Sequence, residues 1–226
     1  MVNTVGSWET KHWQKKWLNI KQNLILTTEQ KKIIIGSLLG DGTMYIGKKG
    51  QNANFKVEHG LAQEQYTKWK YAILKPWVAT EPKISFRYRE NGEKYQKSWW
   101  FRTIRHPILT ELHNKFYVVE GVNRKKLLPK DLPGEIDPLV LAVWIMDDGS
   151  FSKGRIDIST YCFSISEISF LQDILRDKFG LKALSYKDRD KGIRIYFNKS
   201  ETSKTIQIIS PYIISPMRYK IGFPTP

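Results

Sequence analysis

One short pattern occurs twice in this chain, as Ile34-Ile35-Gly36-Ser37-Leu38-Leu39-Gly40-Asp41-Gly42 and as Leu141-Ala142-Val143-Trp144-Ile145-Met146-Asp147-Asp148-Gly149. Each copy is an apolar, helix-like run that stops abruptly at Asp-Gly, and aligning the copies sets Asp41 opposite Asp148. No other feature constrains the fold as much. Two related helices packed along a shared seam bring their carboxylates to one end of it, beside a pseudo-twofold axis. An Asp in the last turn of a helix opposes the helix dipole and repels its twin. A pair kept there suits a divalent cation, which takes a few carboxylates and retains several waters. Gly36 and Gly40, one turn apart, leave a bare stripe for close approach, while the matching positions on the second helix are the bulkier Val143 and Asp147.

The duplication extends well beyond the nonapeptides. Thr27-x-x-Gln30 predicts a capping box before the first helix, and Asp137-Pro138 an N-cap with proline at the first helical position of the second. After each Asp-Gly the pattern turns to alternation, in Asn54–Glu58 and Arg155–Ser159. A helix follows over Gln63–Trp77 and over Ser164–Phe179, the latter opened by the capping box Ser164-x-x-Glu167. Glu90-Asn91-Gly92-Glu93 signals a hairpin between Ile84–Arg89 and Lys94–Ile104, and its counterpart runs from Leu184 through Asp190-Lys191-Gly192 to Phe197. The repeats close with helix-like Ile108–Phe116 and Ile206–Ile214. Similar tails follow, Arg124-Lys125-Lys126-Leu127-Leu128-Pro129 and Arg218-Tyr219-Lys220-Ile221-Gly222-Phe223-Pro224. Matching features in matching order indicate an internal duplication. The first repeat is the longer from acid to lysine, so the halves are unequal.

With 37 basic against 22 acidic residues among 226, a net charge of +15 points to a polyanionic partner. Charged residues make up 26% and aromatics 13%, a folded basic protein and not a disordered tail. Cys162 is the only cysteine, which excludes an intramolecular disulfide and a cysteine zinc site and fits a reducing compartment. The apolar runs are shorter than the ~20 residues of a membrane helix, and Met1–Trp8 is not a signal peptide. In residues 1–26, Trp8, Trp13 and Trp17 recur at helical spacing among Lys11, Lys15 and Lys16. This extension reads as a helix laying its tryptophans on the body, with a DNA-contacting arm as the alternative.

Phosphodiester hydrolysis needs an activated water and neutralised phosphate charge, and a carboxylate-held divalent ion supplies both. Asp41 and Asp148 suit that task. Lys126 and Lys220, at equivalent places beyond the last helix of each repeat, suit stabilisation of developing charge or positioning of water. Two-stranded ribbons fit a major groove and present alternate side chains to base edges. Candidate DNA contacts in the first repeat are Lys48, Lys49, Lys56, Arg87, Arg89, Lys94, Lys97 and Arg102, with Phe86 and Tyr88 on the face opposite Arg87 and Arg89. In the second they are Lys153, Arg155, Asp157, Lys187, Arg189, Arg194 and Tyr196. His12, His59, His106 and His113 lack the spacing of a histidine–metal finger, and Tyr45-Ile46-Gly47 reads as the start of a strand.

The paired nonapeptides, the repeat order and the basic ribbons resemble the LAGLIDADG homing endonucleases in their single-chain, two-motif form. The resemblance runs from about Thr27 to the end of the chain. It implies an α+β fold of two pseudo-symmetric αββαββα repeats, forming a saddle of antiparallel sheets around a central two-helix seam. The first repeat would span 27–136 and the second 137–226. It further implies Mg²⁺-dependent double-strand cleavage of a long, asymmetric DNA site, leaving short 3′ overhangs. Mn²⁺ would substitute, and Ca²⁺ would support binding without cleavage. By position, the resemblance makes Asp41 and Asp148 metal-binding catalytic acids, offers the carbonyls of Gly40 and Asp147 as extra ligands, and sets Lys126 and Lys220 at the family's active-site basic positions. Lys56 and Asp157 fall near the polar active-site position on the first ribbon. The expected protein is a monomer that initiates intron mobility, on double-stranded DNA and not on a membrane, in an organelle matrix or a bacterial cytoplasm. The rival readings are a maturase that binds intron RNA and a DNA-binding regulator on an inactivated scaffold.

Overall fold

The structure, a computed structural model, describes residues 23–47, 51–120 and 123–224. The Trp-rich extension and the lysines Lys48 and Lys49 lie outside the described residues.

The first repeat runs α1 (Thr28–Leu39), β1 (Thr43–Ile46), β2 (Ala53–Gly60), α2 (Glu64–Leu74), β3 (Lys83–Tyr88), β4 (Lys94–Arg102) and α3 (Pro107–Phe116). A small hairpin, β5 (Tyr117–Glu120) and β6 (Asn123–Lys126), and one helical turn, α4 (Leu132–Glu135), lead to the second repeat. That repeat runs α5 (Pro138–Asp148), β7 (Gly149–Ser152), β8 (Arg155–Ser159), α6 (Ile165–Phe179), β9 (Leu184–Lys187), β10 (Ile193–Phe197) and α7 (Lys199–Ile209). Each repeat builds an antiparallel four-stranded sheet with the same order, β1-β2-β4-β3 and β7-β8-β10-β9. This is the expected α+β architecture.

The caps form as the sequence predicts. Thr27 and Gln30 exchange both bonds of a capping box, Asp137 accepts from the Val140 amide, and Ser164 and Glu167 make the third cap. Helices α1 and α5 pack on each other, and nearly every side chain from Ile33 to Leu39 and from Val140 to Asp147 is buried. A helix apolar on all sides lies inside a core. The bare stripe has the expected use: Gly36 receives Val143 and Gly40 receives Asp147. At the start of the seam, Lys31 pairs with Glu135 and Lys32 with Asp137.

Three expectations need correction. The helix expected over Gln63–Trp77 is α only from Glu64 to Leu74, because Pro76 turns its end into a 3₁₀ segment. The last helix of the second repeat is Lys199–Ile209 and not Ile206–Ile214: Asn198 caps it on the Glu201 amide, and Pro211 forces a 3₁₀ turn over Ser210–Tyr212. Tyr45-Ile46-Gly47 ends strand β1 and does not begin a strand. The two tails also differ in kind: Lys126 is the last residue of β6, whereas Lys220 lies in a 3₁₀ helix, Ser215–Ile221. Among the described residues the β5–β6 hairpin has no counterpart in the second repeat, where 3₁₀ turns cover the same interval. The unequal spacing arises earlier, because the β1–β2 and β2–β4 intervals are longer than β7–β8 and β8–β10.

Candidate functional site

The seam helices end together, and the chemistry gathers there. The Lys126 ammonium donates to the carbonyls of Gly40 (3.0 Å) and Gly42 (3.1 Å), which flank Asp41. The Lys220 ammonium donates to the carbonyls of Asp147 (3.2 Å) and Gly149 (2.7 Å), which flank Asp148. Two tails of different secondary structure thus place their lysines identically against the two motifs. Burial draws both lysine pKa values down, while Asp41, Asp147 and Asp148 pull them back up.

The two acids are unequal. No described residue forms a hydrogen bond or ion pair with the Asp148 carboxylate; burial, then the charges of Asp41 and Asp147, push its pKa up to about 8, against the pull of Lys126 and Lys220. For Asp41, burial raises the pKa, but His59, Lys70 and Lys220 outweigh it and leave the carboxyl below its ordinary value. The His59 ring lies 3.5 Å from the Asp41 carboxylate and 3.9 Å from that of Asp147. Ligand atoms of Asp41, His59 and Asp147 all fall within 4.8 Å of one another.

Beneath Asp41 is a fully buried ion pair. Lys70 of α2 donates to both oxygens of Asp147, at 2.7 and 3.1 Å, and Tyr66 adds a hydrogen bond of 2.7 Å. Burial depresses the lysine pKa and raises that of Tyr66, the latter reinforced by the Asp147 charge. His59, Tyr66 and Lys70 did not emerge from the sequence. Their signal was a polar residue where α2 should bury apolar ones, since Lys70 sits between Thr67 and Leu74 on the inward stripe.

Some of the candidate binding residues, Lys56 and Arg102 in the first sheet and Arg155, Asp157, Arg194 and Tyr196 in the second, share one face of their sheet. In the first sheet Lys56 stands opposite Thr43 on β1 and Arg102 on β4, and it lies over Trp100 at 5.4 Å. Glu58 accepts from Lys56 (2.6 Å), Ser98 (2.5 Å) and Lys97 (3.2 Å), so two of the expected cations are held by one acid. Burial raises the Glu58 pKa, but these bonds prevail and bring it down to about 2. A register shift at Ser85/Phe86 breaks the expected alternation of the β3–β4 ribbon. Phe86, Arg87 and Tyr88 are all exposed, Lys94 covers Phe86 at 4.3 Å, and Arg89 pairs with Glu93 at 2.5 Å.

In the second sheet Asp157 stands opposite Ser150, as Lys56 stands opposite Thr43, so the two are structural equivalents. Arg155 makes a two-pronged pair with Asp157 (2.9 and 2.8 Å) and lies over the rings of Tyr196 and Tyr186 at 4.5 and 5.2 Å. Arg194 donates to Ser150 at 2.8 Å and faces Asp188 at 3.8 Å. Lys153 and Arg189 occupy exposed turns at positive φ, 51° and 49°. Lys187 pairs with Ile193 and shares its face, opposite that of Arg194 and Tyr196.

The DNA endonuclease I-ChuI of Chlamydomonas applanata is 30% identical over 211 residues, 87% of this chain and 96% of that protein. The cytochrome b mRNA maturase bI2 of Saccharomyces cerevisiae is 29% identical over 197 residues, 84% of this chain but only 46% of that protein. The homing endonuclease I-WcaI, solved bound to its DNA recognition sequence, superposes with a TM-score of 0.81 at 25% identity, over 91% of this chain and 92% of that one. The model of the LAGLIDADG DNA endonuclease family matches residues 31–205, and the chain belongs to that family.

Proposed function

We propose that this protein is a site-specific homing endonuclease that makes Mg²⁺-dependent double-strand breaks with short 3′ overhangs in a long asymmetric DNA target, and so initiates intron mobility. It acts as a monomer whose two repeats, 27–136 and 137–226, each present one half-site. The observation that carries this reading is the doubled arrangement at the seam: an acid between two carbonyls that share one lysine, once in each motif. Two phosphodiesters need two such centres, and two copies of a helix supply them.

The residues fit a divalent cation. Among the described residues the Asp148 carboxylate has no partner and that of Asp41 has only a histidine at 3.5 Å, and burial and the charges of Asp41 and Asp147 already suppress ionisation of Asp148. Asp41 and Asp148 would hold the ion, and the second lone pairs of the Gly40 and Asp147 carbonyls remain open to it. A divalent ion bound there supplies charge neutralisation and an activated water. Lys126 and Lys220 place positive charge beside each acid, where negative charge develops on the cleaved phosphate. The polar faces of the sheets, with Lys56, Arg102, Arg155 and Arg194, bind duplex DNA and hold its phosphates at the seam.

The maturase relative favours a second reading, binding of intron RNA in splicing, on the same basic surface. Cleavage of a randomised duplex library with Mg²⁺ and with Ca²⁺, beside the Asp41→Asn variant, separates them. Recovery of one long site, cut only with Mg²⁺ and only by the unmodified protein, is the expected result. Binding without cutting in either metal would move the assignment to the maturase or to a DNA-binding regulator.

A further inference from the structure

The buried pair Lys70–Asp147 occurs on one side of the pseudo-twofold axis only. At the offset that relates Lys56 to Asp157, His59 corresponds to Thr160 and Lys70 to Leu171, both fully buried. Where Asp147 stands in the second motif, the first has Gly40, which offers no carboxylate. The acid and its lysine are thus both without a counterpart at the equivalent positions of the other repeat. Asp147 brings a third carboxylate to the seam end, and Lys70 crosses from the other repeat to occupy both of its oxygens.

The neighbourhood shows what that carboxylate would otherwise do. His59 is buried, and among the described residues neither of its ring nitrogens has a hydrogen-bond partner. It lies between Asp41 and Asp147 with all three ligand atoms inside 4.8 Å, the makings of a two-carboxylate, one-imidazole cation site. We propose that Lys70 is a positioning residue that withholds the Asp147 carboxylate from divalent cations, closing an off-centre Asp41–His59–Asp147 site and leaving Asp41 free to act with Asp148. Tyr66 fixes one of these oxygens from a second direction, so Asp147 cannot swing toward Asp41 without breaking buried hydrogen bonds, of which it accepts three. This rests on the reading of Asp41 and Asp148 as the cation-holding acids.

The test is the number of Mn²⁺ ions bound by the full chain without DNA, counted by electron paramagnetic resonance. Lys70→Met, which keeps the volume and removes the charge, is expected to bind one more Mn²⁺ than the unmodified protein. Its Tm is expected to climb with Mn²⁺ more steeply than that of the parent, because the cation takes over the role of the ammonium. Lys70→Met/Asp147→Asn is expected to lose both effects. If Lys70→Met fails to fold alone, Mn²⁺ during refolding is expected to recover it. An unchanged ion count with an unchanged Tm response, or no recovery by Mn²⁺, overturns the proposal. Absence of bound Mn²⁺ from the unmodified protein would instead count against the Asp41/Asp148 reading, and the difference between the variants would still decide the role of Lys70.

Discussion

Gly40 of the first motif lies against Asp147 of the second so closely that a Cβ on Gly40 would stand 2.5 Å from the Asp147 Cβ. Asp147 cannot retreat, because Lys70 and Tyr66 hold its carboxylate. At Gly36 the obstacles are the Val143 Cβ at 2.7 Å and the Val140 carbonyl at 2.8 Å, which is backbone. At Gly36, inside α1, Gly→Ala ordinarily gains up to about 1 kcal/mol, whereas Gly40 is the C-cap beyond Leu39 and has no such gain. Overpacking of a rigid seam costs about 1–3 kcal/mol or more. Overpacking wins at both positions. Gly36→Ala and Gly40→Ala should each lower the Tm by roughly 5 °C, read by calorimetry; an unchanged or raised Tm would show that the helices are not in this contact.

Lys126 and Lys220 serve different acids, and this should separate the two strands of the target. Lys126→Met should slow cutting of one strand on the order of 10²-fold, and Lys220→Met should slow the other, each with DNA affinity nearly unchanged. Supercoiled plasmid carrying the target would then accumulate as a nicked intermediate, with the nick on opposite strands for the two variants. Equal slowing of both strands by either variant would contradict one lysine per half-site. Asp41→Asn and Asp148→Asn should abolish cleavage while leaving affinity largely intact.

The seam was legible before the structure because its signals are local and doubled. Asp-Gly after an apolar run, the caps at Thr27 and Asp137, and glycines one turn apart each act within a few residues. The equivalence of Lys56 and Asp157 was not fixed by spacing, since the first hairpin has the longer loop and Lys56 lies further from its Asp-Gly than Asp157 does; strand pairing sets it. What escaped notice depends on contacts distant in sequence. Nothing near Lys70 announces Asp147, and a lysine in an amphipathic helix reads as a solvated one. The β3–β4 ribbon misled for a different reason: a bulge at Ser85/Phe86 breaks strict alternation, and alternation was the only rule available.

Glu58 makes the first sheet acid-sensitive. Its pKa is about 2 in the folded protein against 4.5 without partners, so its stabilisation is complete above about pH 4.5 and disappears as the pH falls toward 2. The shift corresponds to about 3 kcal/mol at most, reduced by the exposure of Lys56 and Lys97. Glu58→Gln should therefore be less stable than the parent at neutral pH, with the gap closing between pH 4.5 and 2 in chemical denaturation. A gap independent of pH would mean that Glu58 acts through shape and not charge.

The open faces of the sheets should give DNA binding a steep salt dependence. Each phosphate neutralised contributes roughly −0.9 to the slope of log K against log salt on duplex DNA. Removing one exposed cation that meets a phosphate, such as Arg102→Ala, should flatten the slope by about one such unit for cognate and random DNA alike. A nearly flat slope in the unmodified protein would contradict the placement of DNA on these faces.

Arg155 is the most constrained cation of the second sheet. Asp157 takes two of its five N–H donors, at 2.9 and 2.8 Å, and Tyr186 and Tyr196 hold the plane of the guanidinium. The remaining donors therefore point in a fixed direction, the condition for reading a base edge in place of a phosphate. Asp157→Ala frees the guanidinium and removes a negative charge from the DNA face. These two effects act in opposite directions on cognate DNA but in one direction on random DNA. Affinity for random duplex should rise, while discrimination at one target position should fall by about 1–3 kcal/mol. Competition binding against single-base target variants reads both. A uniform gain at every position, with discrimination intact, would make Asp157 a charge brake and Arg155 a phosphate contact.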